Sequence, residues 1–246
     1  MAAKLSVNVN KIATVRNSRG GRVPSVIEAV RTCVDAGVPG ITVHPRADAR
    51  HITRDDVFEI AEELAPLRGT VEFNIEGDPR LDLIDLVLEV RPHQCTLVPV
   101  MAGEITSQAG WPADTPRDLL EHTVRRMKDA GVRVSLFVDP VPDVVAWAAD
   151  VGADRVELYT EPFARAFERG PADAAASFEL YAAASRRAHE VGLGVNAGHD
   201  LDLRNLTVFR ELPHLDEVSI GHALVSRALF LGLRTVVREY LQVLGG

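Results

Sequence analysis

The side chains in this sequence best suited to move protons and hold anions recur just after short apolar runs. His44 ends the run GITVH, His199 follows VNAG, and His222 follows EVSIG; His51 comes shortly after His44. Histidine is the side chain whose ordinary pKa lies in the neutral range. Four of the chain's eight histidines therefore become a proton-trading set if these runs end at one place. Glu72 sits inside the apolar stretch TVEFNI. A carboxylate there is costly unless it is paired or used. Facing a buried mouth it becomes a general base with a raised pKa; facing an arginine it becomes a buried ion pair. The sequence leaves both open, and Glu157 in RVELYT carries the same ambiguity.

Anion-holding groups accompany them. Arg16, Arg19, Arg46 and Arg50 follow the first two apolar runs. They read either as a basic funnel for phosphate esters, gripped bidentately, or as solvated loop charge. Gly221 stands between a strand and the helical pattern HALVSRAL. Free N–H groups at such a helix start bind phosphate, and glycine lets the backbone come close. His44, His199 and His222 with Glu72 could in principle ligate zinc. Close-spaced ligand pairs such as H-x-H are missing, so no metal site is expected. G-x-S-x-G, the signal of a serine nucleophile, is absent too.

The elements that must position these groups alternate. Strands are expected at 5–9, 40–44, 70–74, 94–98, 133–138, 155–159, 194–196 and 217–220. Helices are expected at 25–36, 54–66, 81–90, 116–130, 141–151, 172–191, 203–211 and 223–244, the last broken near Gly232. Alternating β and α elements give a parallel sheet covered by helices. Four segments, CVDAGVPGITV, RMKDAGVRVSLFV, AADVGADRVEL and AHEVGLGVNAG, repeat one joint. In each a helix runs into Gly37, Gly131, Gly152 or Gly192 and a strand follows at once, glycine being the residue that caps a helix in the left-handed conformation. An open doubly wound sheet could use the same joint. Eight pairs in 246 residues favour a single (β/α)8 barrel domain over residues 1–246. In that fold the loops after the strands form the working rim. That rim gathers Asn8, Asn10, Lys11, Glu76, Glu104, Thr106, Ser107, Glu161, Asn196 and Asp200 beside the groups above. The longest loops, 10–24, 99–115 and 160–171, all follow strands.

Composition narrows the partners. The net charge is −8, with 46% hydrophobic and 25% charged residues. An acidic whole argues against nucleic acid or an anionic membrane surface, but leaves room for small anionic substrates in a locally basic pocket. Cys33 and Cys95 lie in apolar stretches and read as buried thiols, not a disulfide framework. A reducing, cytoplasmic setting is expected, since MAAKLSVNVNK does not resemble a signal peptide. No run approaches the roughly 18 apolar residues of a membrane helix.

Several of these segments together resemble the pyridoxine 5′-phosphate synthase family. They are LSVNVNKIATVRNSRGG (5–21), GITVHPRADARHIT (40–53), VEFNIEG (71–77), LVP (97–99), EITSQAGW (104–111), RVELYTEP (155–162), VNAGHDL (195–201) and EVSIGHAL (217–224). The likeness spans essentially the whole chain, and its HPRxDxRHIT and VNAGH segments are specific. It implies a cofactor-free barrel that assembles as an octamer of four dimers. It also implies condensation of 3-amino-2-oxopropyl phosphate with 1-deoxy-D-xylulose 5-phosphate into pyridoxine 5′-phosphate, phosphate and water. By the same likeness His44 and Glu72 form an acid/base pair and His199 is a second proton-transfer histidine. Asn8, Arg19, Gly221 and His222 hold the amino-ketone phosphate, and Arg46, His51 and Thr106 contact the sugar phosphate. The loop around Thr106 is the lid. Arg16, Arg50 and Glu104 gain no role from it. Two positions depart from many members: Asn10-Lys11 replaces Asp-His, and Asp200 replaces glycine. Asn10 and Lys11 can still bond sugar hydroxyls but cannot serve as a general base. The Asp200 carboxylate is expected to point away from phosphate, leaving only its backbone N–H as a contact. Both read as subclass variation.

Two other readings fit the barrel. A different phosphate-handling lyase or isomerase would need a catalytic lysine, and Lys11 is the one at the rim, Lys4 and Lys128 lying elsewhere. A non-catalytic sugar-phosphate binder would explain the Asn10-Lys11 and Asp200 departures, but not the presence of His44, Glu72 and His199 together.

Overall fold

The structure is a computed structural model that describes residues 2–99 and 107–245. Eight strands alternate with helices: β1 (Lys4–Asn8), β2 (Gly40–Val43), β3 (Glu72–Gly77), β4 (Gln94–Leu97), β5 (Arg133–Val138), β6 (Arg155–Tyr159), β7 (Gly194–Gly198) and β8 (Leu215–Ile220). Each pairs in parallel with the next, and β8 pairs with β1, so the sheet closes into a barrel. The helices are α1 (Asn10–Asn17), α2 (Val26–Asp35), α3 (Arg54–Leu64), α4 (Leu81–Val90), α5 (Asp118–Asp129), α6 (Pro142–Asp150), α7 (Glu161–Arg169), α8 (Pro171–Glu190), α9 (Leu206–Phe209), α10 (His222–Leu231) and α11 (Leu233–Leu244). The expected (β/α)8 fold is the observed one. Gly37, Gly131, Gly152 and Gly192 take φ between +79° and +101° at the four repeated joints, a region in which a Cβ would be strained.

Strand pleating sorts the two faces of the barrel wall. Leu5, Val7, Ile41, Val43, Phe73 and Ile75 are buried in the apolar layer shared with the helices. The alternate positions carry Ser6, Thr42, Asn74, Thr96, Asn196 and Glu157, all buried. Some of their bonds join neighbouring strands, but two link strands that are not neighbours and so cross the barrel interior: Thr96 Oγ1 lies 3.4 Å from Glu157 Oε2, and Asn196 Nδ2 donates to Gln94 Oε1 at 3.4 Å. The interior is thus a hydrogen-bonded polar network inside an apolar shell.

Three differences from the sequence expectation bear on the strand ends and their loops, besides shifted bounds elsewhere such as the helix expected at 203–211, which is Leu206–Phe209. The third strand runs 72–77 rather than 70–74. Thr70 and Val71 still bond back to the Leu67 carbonyl, at 2.8 and 2.9 Å, so the turn that ends the preceding helix extends further than expected. The strand then continues because Glu76 and Gly77 find partners in Thr96 and Leu97 of β4. The segments 10–24 and 160–171, expected as loops, contain α1 and α7. The α7 helix buries Phe163 against Tyr181 and Phe209, with ring centroids 6.0 and 5.0 Å away.

Candidate active site

A cavity of about 360 Å³ opens where the strands end. Asn8, Asn10, Lys11, His44, Arg46, His51, His199, Asp200, Gly221 and His222 all line it. Chain segments far apart in sequence are brought together because every strand delivers its carboxyl end to the same rim. Arg19 sits on the exposed turn after α1 and does not line the cavity. Thr106 and Glu104 lie outside the described residues.

Glu72 is the principal correction. As the first residue of β3 it lies at the opposite, amino-terminal end of the barrel. Lys4 Nζ donates to its Oε1 at 2.8 Å and Arg133 to its Oε2. Burial opposes ionisation, but the hydrogen bonds from Lys4 and Arg133 outweigh it and bring the pKa down to about 2. It is the ion-paired carboxylate of the two readings, and the zinc set of three histidines with Glu72 is not assembled. The β3 carboxylate that reaches the cavity is Glu76. The signal was present in the sequence: Glu72, Asn74 and Glu76 share one face of a strand, and a strand extending three residues further places the last of them at the mouth.

His44 closes β2 on the rim and is 7% exposed. Its backbone N–H donates to Asn10 Oδ1 at 2.9 Å. Its Nε2 is buried with no hydrogen-bond partner among the described residues. Burial, reinforced by His51, Arg46 and Arg80, holds the imidazole pKa well below its ordinary value, so the ring is a neutral base at physiological pH. His51 stands edge-on to it with ring centroids 6.0 Å apart. The His51 Nδ1 accepts the Ile52 N–H at 3.0 Å, which leaves Nε2–H as a donor. Burial and the nearby Arg46 and Lys11 charges lower its pKa to about 4.

His199 occupies strained backbone. It has φ +83° and Asp200 has φ +58°, a conformation costly for side chains with a Cβ. The surroundings hold it: Thr160 Oγ1 donates to the Gly198 carbonyl at 2.6 Å, and Asn205 Nδ2 to the Asp200 carbonyl at 3.0 Å. Phe137 and Tyr159 flank the imidazole at 5.6 and 5.3 Å. The Asp200 carboxylate stands beside the His199 ring. Its Oδ2 lies 3.9 Å from His199 Nδ1, an ion-pair distance, and the His199 ring keeps the Asp200 pKa below its usual value.

The opposite wall is built for anions. The α10 helix starts at His222, and no side chain caps it. A Cβ on Gly221 would come within 3.0 Å of the Asn8 Cβ and carbonyl oxygen, so glycine is what allows β1 and the helix start to meet. Beneath them lies Glu157, 3% exposed, whose burial and neighbour Glu217 raise its pKa to about 8. A Cβ on Gly198 would clash with its Oε1 at 2.4 Å. Sequence reading left Glu157 undecided; the structure places it at the floor of the cavity. Arg16 instead pairs with Asp56, the residue that closes the capping box of α3; Arg50 pairs with Asp48 and also lines the cavity.

The fold and this pocket define a parallel (β/α)8 barrel with an acid/base and anion-holding rim. The chain belongs to the family described as "Pyridoxal phosphate biosynthesis protein PdxJ", whose pattern matches residues 5–246. It is 53% identical over 242 residues to a protein of Christiangramia forsetii named pyridoxine 5′-phosphate synthase, covering 98% of this chain and 99% of that one. A protein of the same name from Bacteroides fragilis is 53% identical over 238 residues, covering 96% and 97%. Among solved structures, phosphoribosyl anthranilate isomerase from Thermotoga maritima superposes with a TM-score of 0.63 at 13% identity, each chain covered to 99%. That likeness is one of fold alone.

Proposed function

We propose that this protein is a pyridoxine 5′-phosphate synthase. It would join 3-amino-2-oxopropyl phosphate to 1-deoxy-D-xylulose 5-phosphate, releasing pyridoxine 5′-phosphate, one phosphate and two waters. The observation that carries the reading is the end-to-end identity of 53% to proteins of that name, in a chain whose rim presents four histidines to one cavity.

The roles in this scheme are supported by which residues line the cavity together with the family resemblance. The amino-ketone phosphate sits at the start of α10, on Gly221 and His222 beside Asn8, where free N–H groups favour an anion. Arg46 and the His51 Nε2–H serve the sugar phosphate. Lys11 bonds sugar hydroxyls, and Asn10 holds the His44 backbone in place. Neutral His44 accepts protons as amine and ketone combine, and His199 returns them to departing oxygen. Holding both substrates in one cavity turns a bimolecular condensation into a local one. No cofactor is required by this scheme. The protein works in the cytoplasm as the octamer of four dimers that the resemblance implies, a reading in keeping with exposed apolar side chains such as Phe230, 87% accessible.

The deciding experiment is incubation of purified protein with both substrates. Pyridoxine 5′-phosphate and phosphate should appear in equal amounts. Binding without product would leave only a sugar-phosphate-binding barrel. A borohydride-trapped adduct at Lys11 would point instead to a Schiff-base lyase. Sedimentation of the same preparation reads the assembly.

A further inference from the structure

Thr160 is the first residue after β6 and is fully buried. It holds the N-cap position of α7, where a threonine hydroxyl ordinarily accepts an N–H bond from the first turn of its own helix. The Thr160 hydroxyl accepts none. Pro162 removes one of the donors a cap would serve. The next, the Phe163 N–H, lies by the hydroxyl of Tyr181, which itself donates to the Tyr159 carbonyl at 2.6 Å. Tyr181, from α8, thus closes the helix start and leaves the Thr160 hydroxyl to another task.

That task lies on β7. The hydroxyl donates to the Gly198 carbonyl at 2.6 Å, and the His199 carbonyl is also within its reach. The Thr160 backbone N–H joins it on Gly198 at 2.9 Å. Along an extended strand successive carbonyls alternate in direction. These two converge on one hydroxyl because His199 has φ +83°. A hydroxyl has a single proton to give, and this one is spent on the turn that carries the imidazole. The ring sits between Phe137 and Tyr159 at the cavity wall.

We propose that Thr160 is a positioning residue for His199: its hydroxyl pins the left-handed peptide that aims the imidazole into the cavity. The inference rests on the synthase reading and extends it to a residue that does not itself line the cavity. The corner between β6 and α7 fixes the histidine twice. Tyr181 anchors Tyr159, whose ring flanks the imidazole, and Thr160 anchors the backbone beneath it. Without the hydroxyl, residue 199 relaxes toward the negative φ that its Cβ prefers, and the ring leaves its place. A proton-transfer group displaced by about 1 Å loses turnover steeply.

The test replaces Thr160 by valine, which keeps the branched shape without the hydroxyl, and by serine, which keeps the hydroxyl. In Thr160→Val turnover should fall about tenfold or more, while KM for either substrate changes by less than about threefold. Thr160→Ser should bring turnover back to within about threefold of the wild type. A crystal structure of Thr160→Val should show the His199 ring displaced from between Phe137 and Tyr159. Turnover in Thr160→Val within about threefold of the wild type overturns the inference. So does a loss that serine does not recover, or one that lies wholly in KM. An unmoved ring in the crystal structure overturns it whatever the turnover. If Thr160→Val does not fold, Thr160→Ala is judged by the same criteria, since it removes the hydroxyl without placing a methyl against the two carbonyls. Absence of product from the wild-type protein would overturn the synthase reading, and the ring position in the variant would then still decide whether Thr160 holds His199.

Discussion

Asn10 Oδ1 accepts the backbone N–H of His44 at 2.9 Å, and Asn8 Oδ1 accepts the backbone N–H of Asn10 at 3.0 Å. The first turn of α1 is thereby tied to the ends of both β1 and β2. In the proposed scheme Asn10, which also lines the cavity, holds the backbone of His44. Asn10→Ala removes the acceptor and leaves a part-buried N–H unpaired, a cost of about 1–3 kcal/mol, so turnover should drop about tenfold or more with the His44 ring displaced. Asn10→Asp supplies the same acceptor and should restore most of the loss. Equal activity in the alanine and aspartate variants would remove the positioning role.

Glu72 begins β3 and Glu76 lies near its end, so only Glu76 lines the cavity. Glu72 is ion-paired at the amino-terminal end. Its folded pKa, about 2, lies below the ordinary carboxyl value. Its contribution to stability is therefore complete above about pH 4.5 and lost as pH falls toward 2. Glu72→Gln should lower the unfolding midpoint at pH 7, lose that deficit as pH is brought toward 2, and keep turnover within about threefold. A hundredfold fall in turnover with normal stability would return Glu72 to the catalytic set.

The contrast shows what was legible in the sequence. Strand–helix alternation and the four glycine joints name the barrel, because backbone periodicity and left-handed caps are local properties. His44, His51, His199 and His222 reach one cavity because the fold sends every strand end to the same rim. The third strand was misplaced because Val71 and Thr70 look like strand by residue type while their N–H groups remain committed to Leu67. That choice is made by hydrogen bonding across the turn, and it moved the expected carboxylate from one end of the barrel to the other. The approach of the Asp200 carboxylate to His199 is not legible in sequence, since it follows from φ angles that only the packed loop imposes.

Asp200 combines a strained backbone with a carboxylate beside His199. The two effects separate by substitution. Asp200→Gly relieves the left-handed conformation and should stabilise the fold by about 1 kcal/mol, seen as a higher denaturation midpoint. It also removes the charge that orients the His199 ring, so turnover should fall several-fold. Asp200→Asn tolerates the same φ and should lower turnover without the gain in stability. If both variants turn over at the wild-type rate, the carboxylate is a bystander to the histidine.

Glu157 and Glu217 carry the last expectation, which concerns pH. Both are buried in the barrel interior, and their pKa values rise to about 8 and about 7. In the unfolded chain each loses its proton near pH 4.5, whereas the folded protein retains it. The folded state then binds more protons across this window, and stability must fall as pH rises through it. The effect of Glu157 is absent below about pH 4.5, grows to about pH 8, and is constant beyond. Glu157→Gln keeps the size of the side chain and the contact with Thr96 but cannot ionise. The difference in urea midpoint between pH 5 and pH 8.5 should therefore shrink in this variant relative to the wild type. An unchanged difference would mean that Glu157 ionises in the folded protein as easily as in the unfolded one, and that the polar interior solvates it more fully than its 3% exposure allows.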